Sequence, residues 1–173
     1  MQDILIVVDM QNDFIDGALG TPEAVSIVPA VENVILSHNG RVIFTKDTHS
    51  PNYLTTQEGK NLPVEHCIKG TRGWEICPAL EKYAKEVIEK PTFGSVALSE
   101  QLKKENEASP IGKIALVGLC TDICVISNAL LLKATFPEIE ISVISNACAG
   151  VTPESHKNAL EAMKMCQIKV ANE

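Results

Sequence analysis

The chain has 173 residues, 45% of them hydrophobic and 21% charged, with a net charge of −7. That size suits one folded domain with a sizeable core, expected to span residues 1–173. An acidic balance without a basic run excludes phosphate-backbone binding, so no nucleic-acid partner is expected, and no apolar stretch approaches the ~20 residues that span a bilayer, so no membrane partner is expected.

The chain opens Met1-Gln2-Asp3-Ile4. It lacks the basic start and cleavage site of a secretory signal, and a cytoplasmic location is expected. There the six cysteines are expected to be thiols. No Cys-x-x-Cys pair points to a zinc ribbon.

Ile4-Leu5-Ile6-Val7-Val8-Asp9 is nearly all apolar, as a strand buried on both faces should be. A helix is predicted from about Ile27 to His38, with Pro29 in its first turn and Asn39-Gly40 as its stop. Arg41 to Asp47 reads as the second strand, with Val42, Ile43 and Phe44. Thr48 to Leu80 shows no strong periodicity, and so long a connection in a compact domain is usually functional. Val87-Ile88-Glu89-Lys90 is a short third strand, followed by a helix over about Val96 to Glu105. Lys113 to Gly118 is the fourth strand. A helix from Asp122 to about Ala134 follows, capped by Thr121. Ile141 to Ser145 is the fifth strand, the last helix runs from Pro153-Glu154 to near Cys166, and Gln167 to Val170 is a weaker sixth strand. The alternation predicts an α/β fold, three layers with a parallel sheet between helices.

Ligands of open parallel sheets bind beyond the carboxyl ends of the strands. Asp9, Asp47 and Lys90 end the first three strands, and Cys124 follows the fourth. Read alone, Asp9 is a turn former, Lys90 a solvated loop lysine and Cys124 a small core residue. Their convergence on one edge favours chemistry. A cysteine hydrolase needs a thiolate, a proton shuttle and oxyanion donors. Cys124 supplies the sulfur, and a helix N-terminus there is expected to favour its thiolate. Asp9 is the proton shuttle, Lys90 holds Asp9, and backbone N–H groups of the turn after strand four receive the oxyanion.

Asp47-Thr48-His49, Glu58 and His66 form a second constellation. On an extended segment residues i and i+2 share a face, so Asp47 and His49 are placed to grip one ion. A carboxylate with two imidazoles suits Zn²⁺, Mn²⁺ or Fe²⁺, and Glu58 is the weakest member. The bland alternative is a polar loop with a hydrogen-bonded histidine. His38 and an exposed His156 read as bland, and Cys67, Cys77, Cys148 and Cys166 as packing thiols. Cys120 reads as a small residue lining the site rather than a disulfide partner of Cys124.

In this order, Val8-Asp9-Met10-Gln11-Asn12-Asp13-Phe14, Thr45-Lys46-Asp47-Thr48-His49, His66-Cys67-Ile68-Lys69-Gly70-Thr71, Lys90 and Gly118-Leu119-Cys120-Thr121-Asp122-Ile123-Cys124-Val125 resemble the isochorismatase-like cysteine hydrolases, close to the nicotinamidases. The resemblance covers nearly the whole chain. It implies a six-stranded parallel sheet and an Asp9, Lys90, Cys124 triad. It implies a divalent metal, Zn²⁺ foremost, at Asp47, His49 and His66, with Glu58 as a fourth ligand in some members. It implies a non-proline cis peptide between Leu119 and Cys120, with the Cys120 and Cys124 N–H groups as oxyanion donors. Phe14, Leu62 and Leu119 would contact a small planar amide, and dimers or tetramers would be the assembly. The implied reaction takes nicotinamide to nicotinate and ammonia through a thioester; hydrolysis of a carbamoyl or ureido compound and a catalytically silent binding role are the alternatives. Isochorismate hydrolysis is disfavoured, because those members dispense with the nucleophilic cysteine. Two departures stand out. Leu62-Pro63-Val64-Glu65-His66 replaces a Trp-Pro-x-His element, and Pro91-Thr92-Phe93-Gly94-Ser95 replaces a more aromatic stretch after Lys90.

Overall fold

The first strand, β1 (Gln2–Val8), organises the molecule. In the computed structural model, which describes residues 1–172, Leu5, Ile6, Val7 and Val8 of this strand are fully buried. Side chains alternate across a strand. Ile4, Ile6 and Val8 therefore pack into one hydrophobic layer and Leu5 and Val7 into the other. Each such side chain contributes about 1.5–3 kcal/mol on burial, so β1 anchors both layers.

The remaining strands are β2 (Arg41–Asp47), β3 (Val87–Lys90), β4 (Ile111–Leu119), β5 (Glu140–Ala149) and β6 (Lys169–Ala171). They form one parallel sheet in the order β3-β2-β1-β4-β5-β6. The helices are α1 (Asn12–Ile15), α2 (Pro22–Ser37), α3 (Gln57–Asn61), α4 (Pro78–Glu81), α5 (Val96–Ala108), α6 (Ile126–Thr135) and α7 (Pro153–Met165). Residues of α5, α6 and α7 share the Ile4–Ile6–Val8 layer, while α2 and α4 share the other. Among the described residues no helix is long and apolar enough to cross a membrane.

Two helical expectations need correction. Helix α2 begins five residues before Ile27, because Thr21 caps it by accepting the Ala24 N–H and Pro22 fits its first turn. Ala24, Ile27, Val31 and Ile35 give its buried stripe. Pro29 therefore lies mid-helix, on an exposed face where water can replace the lost backbone bond. The helix after β4 is not capped by Thr121. It opens as a π-helical turn, Thr121–Val125, and becomes α-helical at Ile126. Single π turns are frequent at functional sites. The 48–80 connection holds only short helical turns, α3 and α4 among them.

The strand order reverses between β1 and β4, so the chain leaves these neighbours in opposite directions and opens a crevice at their carboxyl ends. Close approach there depends on Gly118. Its φ is +114°, and a Cβ on it would lie 2.2 Å from the Val8 carbonyl oxygen. Backbone cannot yield to that clash as a flexible side chain would. Gly118→Ala is expected to lower stability by roughly 3 kcal/mol or more, as measured by urea unfolding; a loss below about 1 kcal/mol would refute this account of the β1–β4 contact.

Candidate active site and metal cluster

Four strand ends supply the site. Asp9 follows β1 directly, with φ +46°, in the left-handed region that Asp tolerates better than most residues. Its N–H donates to the Thr45 carbonyl, and Thr45 Oγ1 donates to Asp9 Oδ1 at 2.6 Å. Asp47 and Lys90 are paired across β2 and β3. Cys124 lies in the π turn after β4. The cis peptide between Leu119 and Cys120 is present.

Lys90 brings these residues together. Its ammonium lies 2.6 Å from Asp9 Oδ2 and 3.5 Å from Asp47 Oδ1, donates to the Thr92 carbonyl at 3.0 Å, and reaches Cys124 Sγ at 3.3 Å. The Lys90 side chain is 0% exposed. Burial alone would push the ammonium towards its neutral form. Asp9, Cys124 and Asp47 outweigh it and raise the pKa above the ordinary lysine value. Burial raises Asp9, and Lys90 opposes it without cancelling it. Burial also raises the Cys124 thiol well above its ordinary range, Asp9 adds to the effect, and Lys90 pulls against it. Burial and Asp9 thus oppose the thiolate that a helix N-terminus favours, and Lys90 supports it. Desolvation and a neighbouring carboxylate outweigh the field of one short turn.

Asp47 faces both ways. Oδ1 meets Lys90, while Oδ2 lies 2.9 Å from His49 Nε2 and 3.5 Å from His66 Nε2. Glu58 Oε1 completes the group at 3.5 Å from His49 and 3.8 Å from His66. One ligand atom from each of the four residues lies within 4.8 Å of the others. A tetrahedral zinc with bonds of about 2.0–2.1 Å would separate its ligand atoms by about 3.4 Å, so the observed spacings fit a divalent cation. The chemistry of the donors fits as well. His66 Nδ1 lies 2.8 Å from the Val64 carbonyl, which fixes the ring and leaves Nε2 facing the cluster. Burial would raise Asp47, but the His49 and His66 contacts and Lys90 hold it well below the usual carboxylate range. Glu58 is raised, by burial first and by Asp47.

Several supports have no signal in residue spacing. Gln11 is fully buried; its amide donates to the Asp47 and Trp74 carbonyls and its carbonyl accepts the Asp47 N–H. Tyr53, also fully buried, packs 4.7 Å from the His49 ring and 4.9 Å from the His66 ring, centroid to centroid. Asp13 accepts the N–H of Cys67, next to His66. Gln11 and Asp13 fall in the quoted Asp9–Phe14 stretch, but nothing in the sequence near Tyr53 marks it.

A narrow cleft of about 40 Å³ opens between the two constellations. Phe14, Leu19, Leu62, Phe93 and Ile123 form apolar walls, and Asp47, Glu58, His66, Cys120 and Cys124 complete the lining. Phe14 and Leu62 are among the residues at this cleft, and Cys120 lines it as a free thiol. Leu119 does not line the cleft. Its side chain is 1% exposed and joins the layer of Leu5 and Val7, because it is the last residue of a strand buried on both faces. His156 is not a bland surface residue: Nδ1 lies 2.7 Å from Thr121 Oγ1, and burial lowers its pKa. Cys67, Cys77 and Cys148 are buried as expected, whereas Cys166 is exposed where α7 ends.

The isochorismatase domain pattern matches residues 3–172. The chain is 26% identical to a nicotinamidase of Schizosaccharomyces pombe over 98% of this chain and 92% of the relative. Among solved structures it is similar to the pyrazinamidase of Pyrococcus horikoshii in complex with zinc, with 28% identity, a TM-score of 0.82 and complete coverage of both chains. It is also similar to the N-carbamoylsarcosine amidase of Thermoplasma acidophilum, with 29% identity and a TM-score of 0.77 over 99% of this chain and 96% of the other.

The geometry makes two predictions. Lys90→Met leaves two buried carboxylates without their counter-charge and is expected to cost about 3–5 kcal/mol at pH 7. Burial already raises Asp9, so protonation favours the folded form, and the deficit should shrink as pH falls towards 5. Urea unfolding at both pH values checks the magnitude and the sign. Zinc titration against a chromophoric chelator checks the cluster. His66→Ala should weaken binding by roughly a hundredfold or more, and Glu58→Gln by about tenfold. Unchanged affinity in His66→Ala would remove His66 from the ligand set.

Proposed function

The chain belongs to the isochorismatase family, and from that premise we propose that it is a cysteine amidohydrolase of small neutral carboxamides, with nicotinamide as the foremost substrate. The observation that carries this reading is Lys90, whose ammonium lies 2.6 Å from Asp9 and 3.3 Å from the Cys124 sulfur.

The Cys124 thiol gives its proton to the Asp9 carboxylate, and Lys90 steadies the thiolate. The sulfur attacks the carboxamide carbon, and the oxyanion faces the backbone N–H groups of Cys120 and Cys124. The intermediate collapses with cleavage of the C–N bond as Asp9 returns the proton to the departing nitrogen. Ammonia leaves and a thioester remains. Asp9 then takes a proton from water, the resulting hydroxide attacks the thioester, and C–S cleavage releases the acid as the sulfur is reprotonated. Burial, which raises Asp9, suits it better than a surface carboxylate to take up a proton and hand it on. A divalent cation held by Asp47, His49, His66 and Glu58 would supply a Lewis-acid anchor for a ring nitrogen of the substrate.

The cleft favours this substrate class. Neither arginine nor lysine lines it, and Asp47 and Glu58 are acidic. Lys90 is already committed to Asp9. A ureido acid would find no partner for its carboxylate, so similarity to a carbamoylsarcosine amidase carries less weight than the charge of the walls. A planar amide would lie against Phe14, Leu62 and Phe93. Zinc is the metal favoured by the donor set, and assembly into a homodimer or homotetramer is part of the reading.

The test is ammonia release from a panel containing nicotinamide, neutral carbamoyl compounds and ureido acids, with and without prior chelation. Nicotinamide turnover that stops after metal removal and returns with zinc is expected. Turnover confined to ureido acids would overturn the assignment. Cys124→Ala should lose at least about 10³-fold in kcat and remain folded; retained activity would rule out the thioester route.

A further inference from the structure

Asn128, on the first turn of α6, is 1% exposed and absent from the reaction described above. Its side-chain amide joins two elements of the site. Nδ2 donates to the Cys124 carbonyl at 2.8 Å and to the Phe93 carbonyl at 3.1 Å, and Oδ1 accepts the Ser95 N–H at 2.9 Å. The orientation of the amide is forced, since two carbonyls require donors and one N–H requires an acceptor. Asn128 therefore bonds both to the main chain of the nucleophile and to the 92–95 segment. That segment carries the Thr92 carbonyl, which receives Lys90, and Phe93, which walls the cleft beside Cys124. Phe93 itself is 41% exposed, so packing alone does not fix it. Gly94 lies directly over Ser127, where a Cβ would already be 3.4 Å from the Ser127 carbonyl. The segment and α6 thus meet closely around Asn128.

We propose that Asn128 is a positioning and specificity-determining residue, which clamps the Phe93 wall at a fixed distance from the Cys124 sulfur and so sets the width of the slot that admits the substrate. The proposal deepens the amidohydrolase reading and rests on it for the identity of the substrate, but slot width can be measured without turnover. Asn128→Ala removes all three bonds. Asn128→Thr is the more informative variant. A helical threonine hydroxyl donates to the carbonyl four residues back, so it keeps the tie to Cys124 and loses both ties to the 92–95 segment.

The experiment alkylates the intact protein with iodoacetamide and with its planar aromatic analogue iodoacetanilide, and locates modification at Cys124 by tandem mass spectrometry. The ratio of the two rates reports the slot, and KM and kcat for nicotinamide are measured in parallel. In Asn128→Ala, Asn128→Thr and Phe93→Ala the preference for the smaller reagent should fall about fivefold, the scale of losing one or two buried hydrogen bonds. In Asn128→Thr, which keeps the tie to Cys124, KM should rise by a similar factor and kcat by contrast should change less than twofold. The double variant Asn128→Thr with Phe93→Ala should show no further fall, because the first residue acts through the second. A folded Asn128→Thr with an unchanged ratio would overturn the proposal, and so would effects that multiply in the double variant. Should the wild-type protein release no ammonia from any amide, the amidohydrolase reading fails while the alkylation ratios still decide the role of Asn128.

Discussion

The site depends on one buried cation. Lys90 has no exposed side-chain surface, and its ammonium faces Asp9, Asp47, the Cys124 sulfur and the Thr92 carbonyl. Removing a charged amine from water costs several kcal/mol unless close partners return it. Here the partners are also the proposed reacting groups. Electrostatic compensation therefore draws the acid and the sulfur together. Four strand ends that are distant in sequence converge on that ammonium because the parallel order places their carboxyl termini on one edge.

Asp47 extends the arrangement to the second cluster. One oxygen meets Lys90 and the other meets His49 and His66. A change in either half is felt by the other through a single carboxylate, whose backbone is held by Gln11 from both sides. The proposed nucleophile and the proposed metal ligands are in this sense one electrostatic unit. Tyr53 and Asp13 add the packing and the loop anchor that keep His49 and His66 turned inward.

The strand framework was legible because burial on both faces leaves a plain mark. Ile4 to Val8, Arg41 to Asp47 and Val87 to Lys90 are apolar or alternating runs ended by polar residues, and the last two match β2 and β3 residue for residue. The residues at those ends could be placed on one edge from topology alone. Other features were illegible for stated reasons. The start of α2 was missed because Thr21-Pro22 acts through a local cap rather than through periodicity. The π turn leaves no periodic signal in five residues. Leu119 sits beside the nucleophile in sequence, yet strand alternation sends its side chain into the core. The upward pull on the Cys124 thiol comes from burial and from Asp9, which sequence position does not convey.

Charge balance ties the proposed metal to the proposed substrate. Asp9, Asp47 and Glu58 set three carboxyl groups against the single ammonium of Lys90, which leaves an excess of acidic groups in the site. One divalent cation at the Asp47–His49–Glu58–His66 cluster would cancel that excess. Beside those carboxyl groups His66 is held above the ordinary histidine range, with burial opposing the shift and Asp47 and the Val64 carbonyl driving it. A balanced site has no charge left to attract an anion, and its walls offer none. Such a site would suit a neutral amide, and the proposed reaction need only move a proton between sulfur and carboxylate without changing the net charge.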